Sequence, residues 1–139
     1  MDFLDVFSVS ASGLTAQRVR LQAVSSNMAN ARSTRTEDGG PYRRKLTVFE
    51  AQENGFGNAL EQAMSKVQVT EVVESEDPPI LHFDPGHPDA DAEGYVAYPN
   101  VNILEEMVDM MQTSRVYEAN TNVVKTTRQL ADSALQIGR

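Results

Sequence analysis

The 139-residue sequence has no cysteine. Neither a disulfide framework nor a thiolate metal site is therefore open to it. It also lacks any run of the roughly 18 to 20 uncharged apolar residues that a membrane span needs. No basic segment followed by an apolar run and a small-residue cleavage site opens the chain, so an ordinary secretory signal is not expected. Residues 6–36 lack acids and carry arginines on an amphipathic pattern, as a transit peptide would. The same helical pattern recurs at the other end of the chain, and a structural reading covers both ends. Positive charge is scarce where it would matter for nucleic acid. Residues 67–114 hold eleven acids and no lysine or arginine, against seven basic and four acidic residues in 1–45. A net charge of −8 with that asymmetry argues against a nucleic-acid binder and suits ordered contacts between neighbouring copies.

What the sequence does contain is helical periodicity at both ends. Phe7, Leu14, Leu21 and Met28 recur every seven residues, with Leu4, Ala11 and Val24 beside them. This spacing predicts an N-terminal helix over 1–34, weakened by Gly13 by about 1 kcal/mol. Glu37-Asp38-Gly39-Gly40-Pro41 should stop it. Between Pro99 and Gly138 there is neither glycine nor proline. Ile103, Met110, Tyr117, Val124 and Ala131 form one heptad row. Val116, Val123, Leu130 and Ile137 form the next, with Met107 and Leu135 widening the stripe. Asn102 should cap this second helix, over 102–139, with Glu105 completing a capping box and Gly138 ending it. Some 35 helical residues would extend roughly 50 Å, more like a coiled-coil element than part of a globule.

The intervening segment, 35–101, is of another kind. Leu46 and Val48, then Val67, Val69 and Val73, alternate with polar residues as strands do. Ile80–Phe83 and Tyr95–Tyr98 are two further strand candidates. Gly55 and Gly57 mark 50–66 as a loop, followed by a turn of helix, and Asp84-Pro85-Gly86-His87-Pro88 as an irregular one. The expected fold is mainly α: two long terminal helices pairing as an antiparallel coiled coil, with a small β-rich and irregular insert between them. Such a pair alone is marginal. It orders about 70 residues at roughly 1–2 kcal/mol each. About a dozen apolar side chains, each worth roughly 1.5–3 kcal/mol when fully buried, would be only partly covered. Neighbouring copies would supply the missing burial.

No constellation points to an enzyme. His82, Asp84, His87, Asp89, Asp91 and Glu93 supply enough ligands for a metal, yet without helical His spacing or an EF-hand pattern. A metal-dependent hydrolase on this loop is the weakest reading, and no metal, cofactor or catalytic residue is assigned. No serine sits in a strand–turn–helix elbow, and no glycine-rich phosphate loop occurs. Arg43-Arg44-Lys45 on a strand edge serves better to discourage edge pairing. The methionines Met107, Met110 and Met111 suit adaptable packing at a helix interface.

Several stretches, taken together, resemble one family. Ala11-Ser12-Gly13-Leu14 with Ser26-Asn27-Met28-Ala29-Asn30-Ala31 is similar to the N-terminal signature of flagellar axial proteins, the rod, hook and hook-associated subunits. Ser114-Arg115-Val116-Tyr117-Glu118-Ala119-Asn120 resembles their C-terminal signature. Gly39–Lys45, Asp84–Ala90 and Gly94-Tyr95-Val96 with Pro99-Asn100-Val101-Asn102 narrow the resemblance to the short proximal-rod branch. Ser26 departs from the asparagine or glutamate usual there, and 50–66 match nothing in the family pattern. The resemblance implies a structural subunit, self-assembling through its terminal helices into a drive shaft that transmits torque. Partners would be copies of itself, other rod subunits, a basal-body ring or adaptor at the rod base, and the type III export apparatus. Location would be the basal-body rod across the periplasm, reached without a cleaved signal. Asn27 and Asn30 would then bond across helices or to neighbouring backbone, and Asn120 would join the seam. Arg43, Arg44, His87, Asp89, Asp91 and Tyr95 would be insert contacts. A small soluble coiled-coil adaptor is the alternative from the residues alone.

Overall fold

The computed structural model describes residues 3–37, 39–52 and 66–137. Two long helices flank a small insert of two separate two-stranded sheets, in the order α1 (Phe3–Ala29), β1 (Lys45–Gln52), β2 (Lys66–Glu74), β3 (Ile80–Phe83), β4 (Tyr95–Tyr98) and α2 (Ile103–Ile137). The expected loop 50–66 is shorter than its sequence suggests: residues 50–52 extend β1 and Lys66 opens β2, because each finds a cross-strand partner. The rest of that loop with its helical turn, and the stop at Gly138, lie outside the described residues.

α1 runs unbroken through Gly13 for a packing reason. A Cβ there would sit 3.0 Å from Nδ2 of Asn120 on α2. The missing side chain leaves room for the Asn120 amide against α1, a contact that a larger residue would have to push aside. α1 ends at Ala29, five residues short of the expected boundary. Asn30 ends it: its Nδ2 donates to the Ser26 carbonyl at 2.9 Å and its Oδ1 accepts from Ser33 Oγ at 3.2 Å. The Ser26 carbonyl thus takes both the backbone N–H (3.0 Å) and the side-chain amide of Asn30, and the next amides turn back on Met28 and Asn30 as the helix closes. Gly39 and Gly40, both with positive φ (81° and 85°), then reverse the chain, tied by Tyr42 N–H to Ser33 O at 3.0 Å.

β1 and β2 pair antiparallel from Lys45↔Glu74 to Gln52↔Lys66. Val48 pairs with Glu71 and Phe49 with Val69, so Thr70 is the extra residue of a β-bulge. This hairpin forms an arm resting on α1, where Ser12 Oγ accepts from Val67 N–H at 3.3 Å. β3 and β4 form the second hairpin, from Ile80↔Tyr98 to Phe83↔Tyr95. Gly94 closes its loop at φ 84°, with Phe83 and Pro85 standing where a Cβ would go.

α2 spans 35 residues and begins as expected at Asn102, whose Oδ1 accepts from Leu104 N–H at 3.1 Å. Glu105 does not reach the Asn102 backbone, as a full capping box requires. It accepts instead from the Asn102 side-chain amide at 3.0 Å, which holds the capping oxygen in place.

The contact between α1 and α2 is built of small and polar residues. Its buried members are Ser10, Ala16, Ala23, Val24 and Asn27 on α1, and Glu106, Thr113 and Thr127 on α2. Asn120 lies against Gly13, and two cross-links follow, Arg20 to Asp109 (2.8 Å) and Asn27 to Glu106 (3.0 Å).

Candidate functional site

Three elements converge on Asn27, which is 1% exposed. Its Nδ2 donates to the Lys45 carbonyl at 2.9 Å and to Glu106 Oε2 at 3.0 Å. Its Oδ1 accepts from the Lys45 amide at 2.8 Å and from the Tyr42 hydroxyl at 2.9 Å. Four bonds exhaust what one amide side chain comfortably makes. Ser26 Oγ lies 3.1 Å from the same Tyr42 hydroxyl, so the residue that departs from the family pattern still serves this vertex. Glu106 is also 1% exposed, and Arg44 closes on it, with Nε and Nη2 each 2.6 Å from Oε1. A carboxylate buried this deeply is held by a charge and two donors, as such a group must be.

Around this vertex the expected helix-face residues divide. Phe7, Leu14, Leu21, Met28 and Asn30 on α1 are half-buried, and Ala11 is exposed. On α2, Met110, Asn120, Val124 and Ala131 are half-buried, whereas Ile103, Met107, Tyr117 and Leu135 are exposed. The row beside them, Val116, Val123 and Leu130, faces solvent, with Leu130 58% exposed. Leu104, Met107, Val108 and Met111 do the same near the start of α2, with Leu104 72% exposed. The residues that turn inward are Glu106, Thr113 and Thr127, which the apolar period did not mark. They are themselves spaced by sevens, with Asn120 between. That signal becomes legible only when small polar residues count as seam positions.

The insert residues are mostly engaged within the chain. Arg43 is exposed, whereas Arg44 is turned inward onto Glu106. Asp89 Oδ2 accepts from Thr34 Oγ1 at 2.8 Å, and its other oxygen lies 3.8 Å from Arg35, tying the β3–β4 loop to the segment after α1. His87 Nδ1 accepts from Asp89 N–H at 3.1 Å. Asp91 Oδ1 accepts from the amides of Glu93 (3.0 Å) and Tyr95 (2.7 Å), and the Tyr95 ring meets Phe83 edge-on at 5.3 Å. His82 and His87 each present an edge to Tyr98, at 6.2 and 6.3 Å. The loop's polar groups therefore cap its own backbone, which two prolines and a glycine keep from regular pairing. Among the described residues no group of three or more His, Asp or Glu side chains is placed to hold a metal. No helix among them is long and apolar enough to cross a membrane.

Comparison with known proteins matches residues 7–34 to the family described as Flagella basal body rod protein. Residues 92–137 match Flagellar basal body rod FlgEFG protein C-terminal. Full-length relatives include the flagellar basal-body rod protein FlgC of Borreliella burgdorferi, 40% identical over 149 residues, with 99% of this chain and 98% of the relative covered. FlgC of Escherichia coli O6:H1 is 42% identical over 139 residues, with both chains fully covered. FlgC of Bacillus subtilis (strain 168) is 42% identical over 143 residues, with 95% of each covered.

Proposed function

The chain belongs to the FlgC family of flagellar basal-body rod proteins, and from that premise we propose how its geometry serves a rod. It is a structural subunit of the flagellar basal body and not an enzyme. α1 and α2 pair as an antiparallel coiled coil, and copies stack through these helices into the proximal rod, a helical shaft that transmits torque by packing. The order of contacts supports the antiparallel sense: position 13 meets 120, 20 meets 109 and 27 meets 106. Segments 1–34 and 102–139 form the axial part, and 35–101 the outer part. Neighbours are further copies, other rod subunits and a ring or adaptor at the rod base. Delivery is by the type III export apparatus.

One observation carries the reading. α2 spends small and polar residues on its own chain and turns Leu104, Val108, Met111, Val116, Val123 and Leu130 outward. A helix apolar on several faces is a helix with neighbours on several sides. Exposed apolar area of this extent marks an interaction surface. A coiled-coil adaptor with one partner helix would cover one such face and leave the others wet.

Cells lacking the chain should assemble basal bodies that stop short of a complete rod, and should not swim. Intact rods in such cells, seen by electron microscopy, would overturn the assignment. The paired substitution His82→Asn with His87→Gln should leave motility close to the parental level. Those rings contribute shape beside Tyr98, and a hydrolytic role for the loop would instead make the double variant inactive.

A further inference from the structure

The β1–β2 arm rests on α1, yet at its root it does not pack tightly. A half-open cleft of about 240 Å³ lies between the root of the arm, at Thr47 and Phe49, and the two helices, lined on the helical side by Arg20, Val24, Asn27 and Glu106 among others. Its walls mix polar groups with Ala23, Val24, Leu46 and Phe49, and the polar groups leave room for waters. Apolar packing fixes an angle by interdigitation, and along this cleft that interdigitation is incomplete. The directional bonds beside the gap remain: Lys45 held at both its N–H and its C=O by Asn27, and Arg44 held by Glu106. Among the described polar contacts, those of Arg44 with Glu106 are the ones that join the arm's root directly to α2.

We infer that Glu106 and Arg44 are positioning residues that aim the β1–β2 arm relative to the helical pair. Glu106 reads the position of α1 through Asn27 and that of the arm through Arg44. One carboxylate on α2 thereby fixes the angle between three elements. A buried ion pair is a poor source of stability compared with apolar side chains of like size, but it holds one geometry against alternatives. In a rod that geometry matters, because each copy must present its arm to a neighbour at one angle. The inference rests on the rod-subunit reading, and the two fail separately. Loss of swimming on deletion tests the role, whereas the variants below test only the aim of the arm.

Single substitutions Arg44→Met and Glu106→Gln should each lower the docked-arm population by on the order of a hundredfold, since breaking a buried pair leaves one partner uncompensated. Recovered rods should fall accordingly. The combined Arg44→Met, Glu106→Met variant decides between aiming and mere stability. It should restore subunit accumulation to the parental level and still fail to give rods. If it restores rods and motility, the pair was only filling space and the inference is wrong. The absence of cysteine allows a second readout that does not need rods. Spin labels at introduced cysteines replacing exposed Thr70 on the arm and Gln112 on α2 should give one narrow distance distribution in the parent chain and a broad one in the double variant. An unchanged narrow distribution would equally overturn the inference. Arg44→Lys, which keeps the charge without the planar fork, should fall between parent and Arg44→Met; a lysine variant no better than methionine would count against an ion pair doing the aiming.

Discussion

Aspartate at Val123 or Leu130 should abolish rods while leaving the free chain unchanged. In the single chain both residues face water. Exposed substitutions of this kind usually change stability by within about 0.5 kcal/mol. The circular dichroism spectrum and cellular level of either variant should therefore match the parent. Once a neighbour covers the face, the same carboxylate is stripped of water with no partner supplied, at a cost of several kcal/mol per contact. Every copy carries the lesion, so the penalty recurs along the whole shaft. The contrast matters more than the loss itself. A variant harmful only through misfolding would lower subunit level and rods together, and an adaptor's solvated flank would lower neither. Motile Val123→Asp and Leu130→Asp cells with normal basal bodies would show that this face stays wet, and the stacking proposal would fall.

The same contrast explains which parts of the architecture could be seen in the sequence. Both helices, the Asn102 cap and the strand segments follow from local rules: period, a capping residue and alternation. The orientation of α2 about its own axis does not. Heptad rows of methionine, valine and leucine ordinarily mark the face a helix turns toward its own chain. Here Val116, Val123 and Leu130 turn away from it, because the local alternatives Thr113, Asn120 and Thr127 are small enough for α1 to approach at Gly13. In a chain that assembles, the greasiest face belongs to the assembly, and the sequence carries no mark saying which partner each row is for. Glu106 was hidden differently. An acid in the first turn of a helix reads as a favourable charge near the dipole. Its burial comes from Arg44, 62 positions away, and from Asn27, 79 away. Asn27 and Arg44 were each legible within their motifs, but their meeting on one carboxylate is a property of the fold. The boundary of α1 failed on the smallest scale, since the Asn30 side chain can cap a carbonyl or sit passively in a longer helix.

Exchanging donor and acceptor across the Asn27–Glu106 bond should give the clearest genetic result. Asn27→Asp is nearly isosteric, yet it removes both donated bonds and sets a second carboxylate where an amide stood 3.0 Å from Glu106 Oε2. Like charges at that separation in a buried site oppose one another strongly. The Lys45 carbonyl also loses its donor, a cost of about 1–3 kcal/mol for a buried group. Asn27→Asp should therefore impair rods more than Asn27→Ala, although alanine deletes more atoms. Adding Glu106→Gln to Asn27→Asp restores the pair in reverse. The glutamine amide can donate across the same gap to the new carboxylate, and one negative charge remains in the vertex for Arg44. The double variant should swim better than Asn27→Asp alone, even though Glu106→Gln by itself is harmful. Swarm diameter and basal-body yield, taken on all four strains, give the coupling directly. If the second substitution only worsens the first, no direct bond couples the two side chains in the working rod, and the vertex loses its place at the centre of this subunit.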